Sequence, residues 1–154
     1  MSKQLIEKIK KGIVVFDIDG VLAAYEFGEN CHYASIWDEA FKSETDNPYC
    51  QINPLPKLQQ FIQGMDPKDV YVCSVASPFE IDAKGGFVTR NYNIRKENIL
   101  FVEEKSKKIE VLKKIKEERG EKQIAIVDDT VKTLDQIFNQ GGFLTIHISS
   151  FFDF

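Results

Sequence analysis

The chain has 154 residues, 43% of them hydrophobic and 29% charged, with a formal net charge of −4. That length suits one domain able to bury about two-thirds of its unfolded surface, and the composition excludes a disordered chain, a collagen and a coiled coil. No apolar run nears the roughly 18 residues of a membrane span, and mild acidity argues against broad nucleic-acid binding. The opening MSKQLIEKIKKG has charges where a signal peptide needs its apolar core, so a soluble cytoplasmic protein is expected, without membrane or nucleic-acid partners. Cys31, Cys50 and Cys73 lack the CxxC spacing of a zinc or redox site and read as reduced thiols.

Leu5, Ile6 and Ile9 predict a leading helix, and Ile13–Phe16 a short strand apolar on both faces. Residues 23–53 follow, irregular and rich in aromatics: Tyr25, Phe27, Tyr33, Trp37, Phe41 and Tyr49. Loops this long inside a small domain are usually functional, so a lid over a site, with Phe27 and Trp37 toward the substrate, stands beside a helical excursion packed on the core. Leu55, Leu58, Phe61 and Ile62 then repeat with helical spacing, followed by a strand over 70–73. Residues 78–92 form a weaker helical stretch interrupted by Gly85-Gly86, and 99–102 a third strand.

Ile109, Leu112 and Ile115 predict the next helix, 124–127 a strand, and Val131, Leu134, Ile137 and Phe138 another helix, C-capped by Gly141-Gly142. A last strand covers 143–148, and Phe151-Phe152-Asp153-Phe154 suits either core packing or a homo-oligomer contact. Strands alternating with helices predict a three-layer α/β/α Rossmann-like domain over residues 1–154, with a mostly parallel five-stranded sheet and a small insertion after the first strand. The basic stretch 105–122 is interleaved with glutamates and reads as a solvated helix face. No GxxxxGK[ST] loop is present, which excludes a P-loop kinase. His32 and His147 lack partners at metal-ligand spacing and read as ordinary structural histidines.

Two acidic pairs stand out. The first strand runs into Asp17-Ile18-Asp19-Gly20-Val21, and a late strand into Asp128-Asp129-Thr130. Both lie at the carboxyl end of a buried strand, where open α/β sheets bind ligands. One pair alone could be a helix cap, but two at equivalent ends are hard to explain that way. Carboxylates about 5 Å apart repel by roughly 3 kcal/mol at an effective dielectric of 20, so three or four around one crevice call for a cation. All-oxygen donors favour a hard ion, Mg²⁺ first. Ser74 follows the strand over 70–73, at another carboxyl end. Ser106 reads as an N-cap, which places Lys108 in a first helical turn where a cation opposes the helix dipole unless an anion is near. Lys108 shares an inward stripe with Leu112 and Ile115, and Lys105 is its alternative.

In this order, Asp17-Ile18-Asp19-Gly20-Val21, Ser74, Lys108 and Asp128-Asp129 resemble the four motifs of the haloacid dehalogenase (HAD) superfamily. The resemblance implies a HAD-like domain in which Asp17 is the nucleophile of an aspartyl-phosphate mechanism and Asp19 the general acid and base. It further implies Mg²⁺ held by Asp17, the Asp19 backbone carbonyl and Asp129, with Asp128 in support, and Ser74 and Lys108 on the phosphoryl oxygens. An aspartate at position 19 points to a phosphatase rather than a dehalogenase. Pro54-Leu55-Pro56, Val72-Cys73-Ser74 and Ser77-Pro78 are similar to the 5′(3′)-deoxyribonucleotidase branch, although the insertion is short for that family's helical cap. A small phosphomonoester, such as a (deoxy)nucleotide, is the implied substrate. Two other readings remain: a receiver-like phospho-signalling domain, disfavoured because its adjacent acids come first, and a catalytically silent HAD-like binding protein.

Overall fold

Strand β1, Ile13–Phe16, has no polar side chain and is fully buried, as suits a central strand covered on both faces. The computed structural model describes residues 2–24, 47–50, 52–120 and 122–152. Helix α1 (Ser2–Ile9) precedes β1, and a two-stranded antiparallel ribbon, β2 (Ala23–Ala24) with β3 (Asn53–Pro54), follows it. Next come α2 (Pro56–Gln63), β4 (Val70–Val75), α3 (Ile81–Asn91), β5 (Ile99–Val102), α4 (Lys108–Arg119), β6 (Ile124–Asp128), α5 (Val131–Gln140) and β7 (Leu144–His147). The main sheet has the order β5-β4-β1-β6-β7, and every pairing in it is parallel.

The side-chain period of two divides the core. Val14 and Phe16 join Val72 and Val127 under α1, α2 and α3, where they meet Ile6, Phe61 and Phe87. Ile13 and Val15 turn the other way, with Cys73 and Ile126, onto Leu112 and Ile115 of α4 and Leu134 and Ile137 of α5. This is the predicted three-layer Rossmann-like α/β fold. The chain builds outward from β1 through β4 to β5, then crosses to β6 and β7. Connections leave β1 and β6 toward opposite faces, which opens a crevice between their carboxyl ends.

Several boundaries differ from the apolar runs. Strand β4 continues through Ser74 and Val75, which stay in register with Phe101 and Val102, so Ser74 lies inside the strand rather than after it. Strand β6 likewise includes Asp128, paired with His147. The ladder joins backbone groups and is indifferent to side-chain polarity, so it outruns the hydrophobic signal. Residues 78–92 resolve into a 3₁₀ turn, Pro78–Glu80, and α3, which runs through both glycines because buried Lys84, Phe87 and Val88 anchor it. Gly141 ends α5 at φ +75°, with its N–H on the Phe138 carbonyl, the expected C-cap.

Phe151 packs edge-on against Phe61, with ring centroids 5.3 Å apart, whereas Phe152 is exposed. Of the long insertion, Tyr25, Phe27, Tyr33, Trp37 and Phe41 lie outside the described residues, so the expected lid falls there too. Its far end is described: Pro48–Cys50 forms a 3₁₀ turn that buries Tyr49. No described helix is long and apolar enough to cross a membrane.

Tyr92 fastens the layer over β1. Its hydroxyl donates to the Leu22 carbonyl at 2.6 Å and accepts from the Leu55 N–H at 2.9 Å. Burial pushes its phenol up to about 12, so it stays a donor at any working pH. Tyr92→Phe leaves both backbone groups without this partner and should cost about 1–3 kcal/mol, read as a lower urea midpoint at unchanged slope.

Candidate active site

The turn after β1 sets the site. The Asp17 N–H donates to the Val127 carbonyl, continuing the β1–β6 ladder, and Asp17 Oδ1 accepts from the Ile18 N–H at 2.8 Å. The chain then folds back, with the Ala23 N–H on the Ile18 carbonyl. Gly20 sits at φ +75°, and a Cβ there would lie 2.3 Å from Asp129 Oδ2. Only glycine meets both demands, the left-handed backbone and the close approach of the second acidic pair.

Asp17, Asp128 and Asp129 each offer a carboxylate oxygen within 4.8 Å of the others. Into this group runs Lys108, 1% exposed on the first turn of α4, with Nζ 2.7 Å from Asp128 Oδ2 and 3.3 Å from Asp17 Oδ1. Asp128 is fully buried, and its Oδ1 accepts from the Thr130 N–H at 2.9 Å. Three carboxylates against one ammonium leave two formal negative charges in excess. Burial, only partly offset by Lys108 and reinforced by Asp128, raises Asp17 to about 6. Burial and then Asp128 raise Asp129 as well. Burial by itself would discharge Lys108, but Asp17 and Asp128 outweigh it and hold the ammonium above its ordinary range.

A cleft of about 230 Å³ opens over this group, lined by Asp17, Asp19, Ser74, Val75, Lys105, Lys108, Asp129 and Thr130. Every residue expected to touch substrate from the strand ends is there. Asp128, fully buried, is not among the lining residues. Ser74 Oγ is buried and has no hydrogen-bond partner among the described residues. An unpaired buried hydroxyl costs about 1–3 kcal/mol, a burden that a ligand oxygen in the cleft would relieve. The excess negative charge and the all-oxygen donors of Asp17, Asp128 and Asp129 fit a hard divalent cation.

Asp19 has charge partners of its own. Its Oδ1 accepts from the Tyr49 hydroxyl and its Oδ2 from Lys84 Nζ at 2.6 Å. Its carboxylate is therefore paired with a different cation from that of Asp17 and Asp128. Lys105 is exposed at the rim, with Nζ 3.2 Å from Thr130 Oγ1, so Lys108 is the lysine that enters the acidic group. The expected Ser106 N-cap is absent: residues Lys105–Lys107 form a 3₁₀ turn, and α4 begins at Lys108 without a side-chain cap. The nearby carboxylates offset the dipole conflict at Lys108 in its place.

Sequence reasoning missed two contributors. Lys84 sits four residues after Glu80, the pattern of an ordinary surface ion pair, and only the fold shows it buried. Tyr49 is one aromatic among many in the insertion. His147 makes structural contacts, as the sequence suggests: its Nδ1 accepts from the Ser149 N–H, which leaves Nε2–H to donate to the Asp129 carbonyl at 3.2 Å.

Without a bound cation, the raised Asp17 makes stability fall as pH rises. Below about pH 4 this carboxyl is protonated in both folded and unfolded chains; between about 4 and 6 only the folded chain keeps the proton. Crossing that window should cost about 3 kcal/mol at this group, with Asp129 acting in the same direction. Asp17→Asn should flatten that decline in urea titrations run with EDTA; an unchanged profile would place the burden elsewhere. A divalent cation should raise the melting temperature at pH 7.5, and Asp129→Ala should blunt the rise, as calorimetry can establish. No protein-family model and no curated protein matches the chain.

Proposed function

We propose that this chain is a Mg²⁺-dependent phosphomonoester hydrolase of the HAD superfamily, acting through an aspartyl-phosphate on a small phosphorylated metabolite such as a (deoxy)nucleotide. One observation carries the reading: a nucleophilic carboxylate, a buried ammonium and an unpartnered hydroxyl converge on one small cleft at the sheet's switch point. A phosphoryl group presents three oxygens, and Ser74 and Lys108 supply donors for them where charge develops. Asp17, nearly buried at the end of β1, would attack phosphorus while the bond to the leaving oxygen breaks. Asp19, partly exposed in the same cleft, takes up a proton, gives it to that oxygen and then takes one from the water that hydrolyses the acyl phosphate. Asp17, Asp129 and the Asp19 carbonyl, with Asp128 behind them, would hold Mg²⁺, which supplies neutralisation of charge on carboxylate and phosphoryl oxygens when bound.

Purified protein should hydrolyse p-nitrophenyl phosphate and at least one member of a panel of phosphorylated metabolites with Mg²⁺, and neither with EDTA. Asp17→Asn should abolish turnover, and Asp19→Asn should slow it by about 10²–10⁴-fold. Wild-type-like rates in Asp17→Asn, or no metal-dependent turnover of any phosphomonoester, would overturn the reading.

A further inference from the structure

Lys84 is 3% exposed, and an isolated buried ammonium is costly. Its three N–H donors are matched by three acceptors: Asp19 Oδ2 at 2.6 Å, the Val75 carbonyl at 2.7 Å and Glu80 Oε2 at 3.3 Å. These come from the turn after β1, the end of β4 and the turn before α3, so the ammonium is fixed from three directions. Asp19 receives a second donor from the Tyr49 hydroxyl on its other oxygen. The Tyr49 ring is wedged against Phe87, with centroids 5.9 Å apart, and lies 6.0 Å from Lys84 Nζ. Ring and ammonium together form a buried bracket around one carboxylate. That carboxylate lines the cleft beside Asp17 and Ser74, and its side chain is still 31% exposed.

We infer that Lys84, with Tyr49, is a positioning residue for Asp19: the pair holds the acid's carboxyl toward the leaving-group oxygen and away from the cation-binding acids. The inference rests on the phosphatase reading above and deepens it. Two lysines divide the acids of the cleft. Lys108 takes Asp17 and Asp128, and Lys84 takes Asp19. Without Lys84, Asp19 loses the ammonium on its Oδ2, and that oxygen can turn toward the cation that the other three would share. The step at stake is the first one. Asp19, held as a carboxylate by Lys84 and Tyr49, first takes up a proton from solvent through the open cleft. The bond from phosphorus to the leaving oxygen then breaks as the bond from Asp17 forms, and that proton moves to the departing oxygen. A displaced Asp19 delivers that proton poorly.

The test compares two substrates of nearly equal shape, phenyl phosphate and p-nitrophenyl phosphate. Phenolate is the more basic leaving group and needs the proton, whereas p-nitrophenolate departs with little help. The kinetic quantity is kcat/KM, which reports only the steps through leaving-group departure. Lys84→Met should lower kcat/KM for phenyl phosphate by about 10-fold or more, within the general-acid range, and for p-nitrophenyl phosphate by no more than about 3-fold. Tyr49→Phe, which keeps the buried ring, should show the same selectivity at smaller amplitude and serves if Lys84→Met fails to fold. The cation-induced rise in melting temperature should persist in both variants, because Asp17, Asp128 and Asp129 are untouched. If wild-type protein turns over no phosphomonoester with Mg²⁺, these two esters included, the phosphatase reading falls and this inference with it. If the wild type is active but the ratio between the two esters is unchanged in the variants, Lys84 only braces α3 and the inference alone is overturned.

Discussion

The buried ammonium of Lys108 organises the acids between β1 and β6 at the carboxyl edge of this sheet. Lys108 reaches from the first turn of α4 into a group of carboxylates that could not share the space without it. Its position is unfavourable by every local criterion, since it lies in a helix's first turn, is removed from water, and has no side-chain cap before it. What makes it tolerable is Asp128, fully buried at the end of β6 and close enough for a charge-assisted hydrogen bond. Breaking such a pair usually costs several kcal/mol, because the remaining charge has no solvent to turn to. The fold therefore depends on this contact for stability as well as for any chemistry.

The pair leaves the cluster undercompensated. Asp17 and Asp129 are pushed upward first by burial, and Asp128 adds to the rise at both. A protein selected for stability alone would remove one of them. Retaining all three stores an electrostatic deficit that a divalent cation can fill, and the unpaired Ser74 hydroxyl stores a smaller one beside it. Electrostatic strain concentrated at one cleft is the physical ground for reading it as a candidate site.

Topology decides why these groups meet. The described helices that follow β1 and β6 pack on opposite faces of the sheet, and the crevice lies between the carboxyl ends of those two strands. Gly20 then allows the turn after β1 to lie against Asp129 without a side chain between them. The same turn carries Asp19 away to a separate bracket of Lys84 and Tyr49. Adjacent acids in one short motif thus acquire different electrostatic partners, and different partners allow different roles.

The alternation of apolar runs, unbroken in strands and 3.6-periodic in helices, was enough to order the elements and to predict a parallel sheet covered on both faces. Asp17, Asp19, Ser74, Asp128 and Asp129 were likewise legible, because carboxyl-end positions follow directly from strand positions, and Lys108 was legible from the inward stripe that it shares with Leu112 and Ile115. The ends of β4 and β6 were not legible, since hydrogen-bond ladders run past the apolar run into Ser74 and Asp128. Neither was the Lys84 bracket. A lysine four residues after a glutamate is the mark of a solvated helix face, and only the approach of β4 and the turn after β1 buries it. Local sequence thus determined which residues stand at the edge of the sheet. The pairing of each charge was left to tertiary structure, because Coulomb energies depend on distance and burial, and neither exists until distant segments pack.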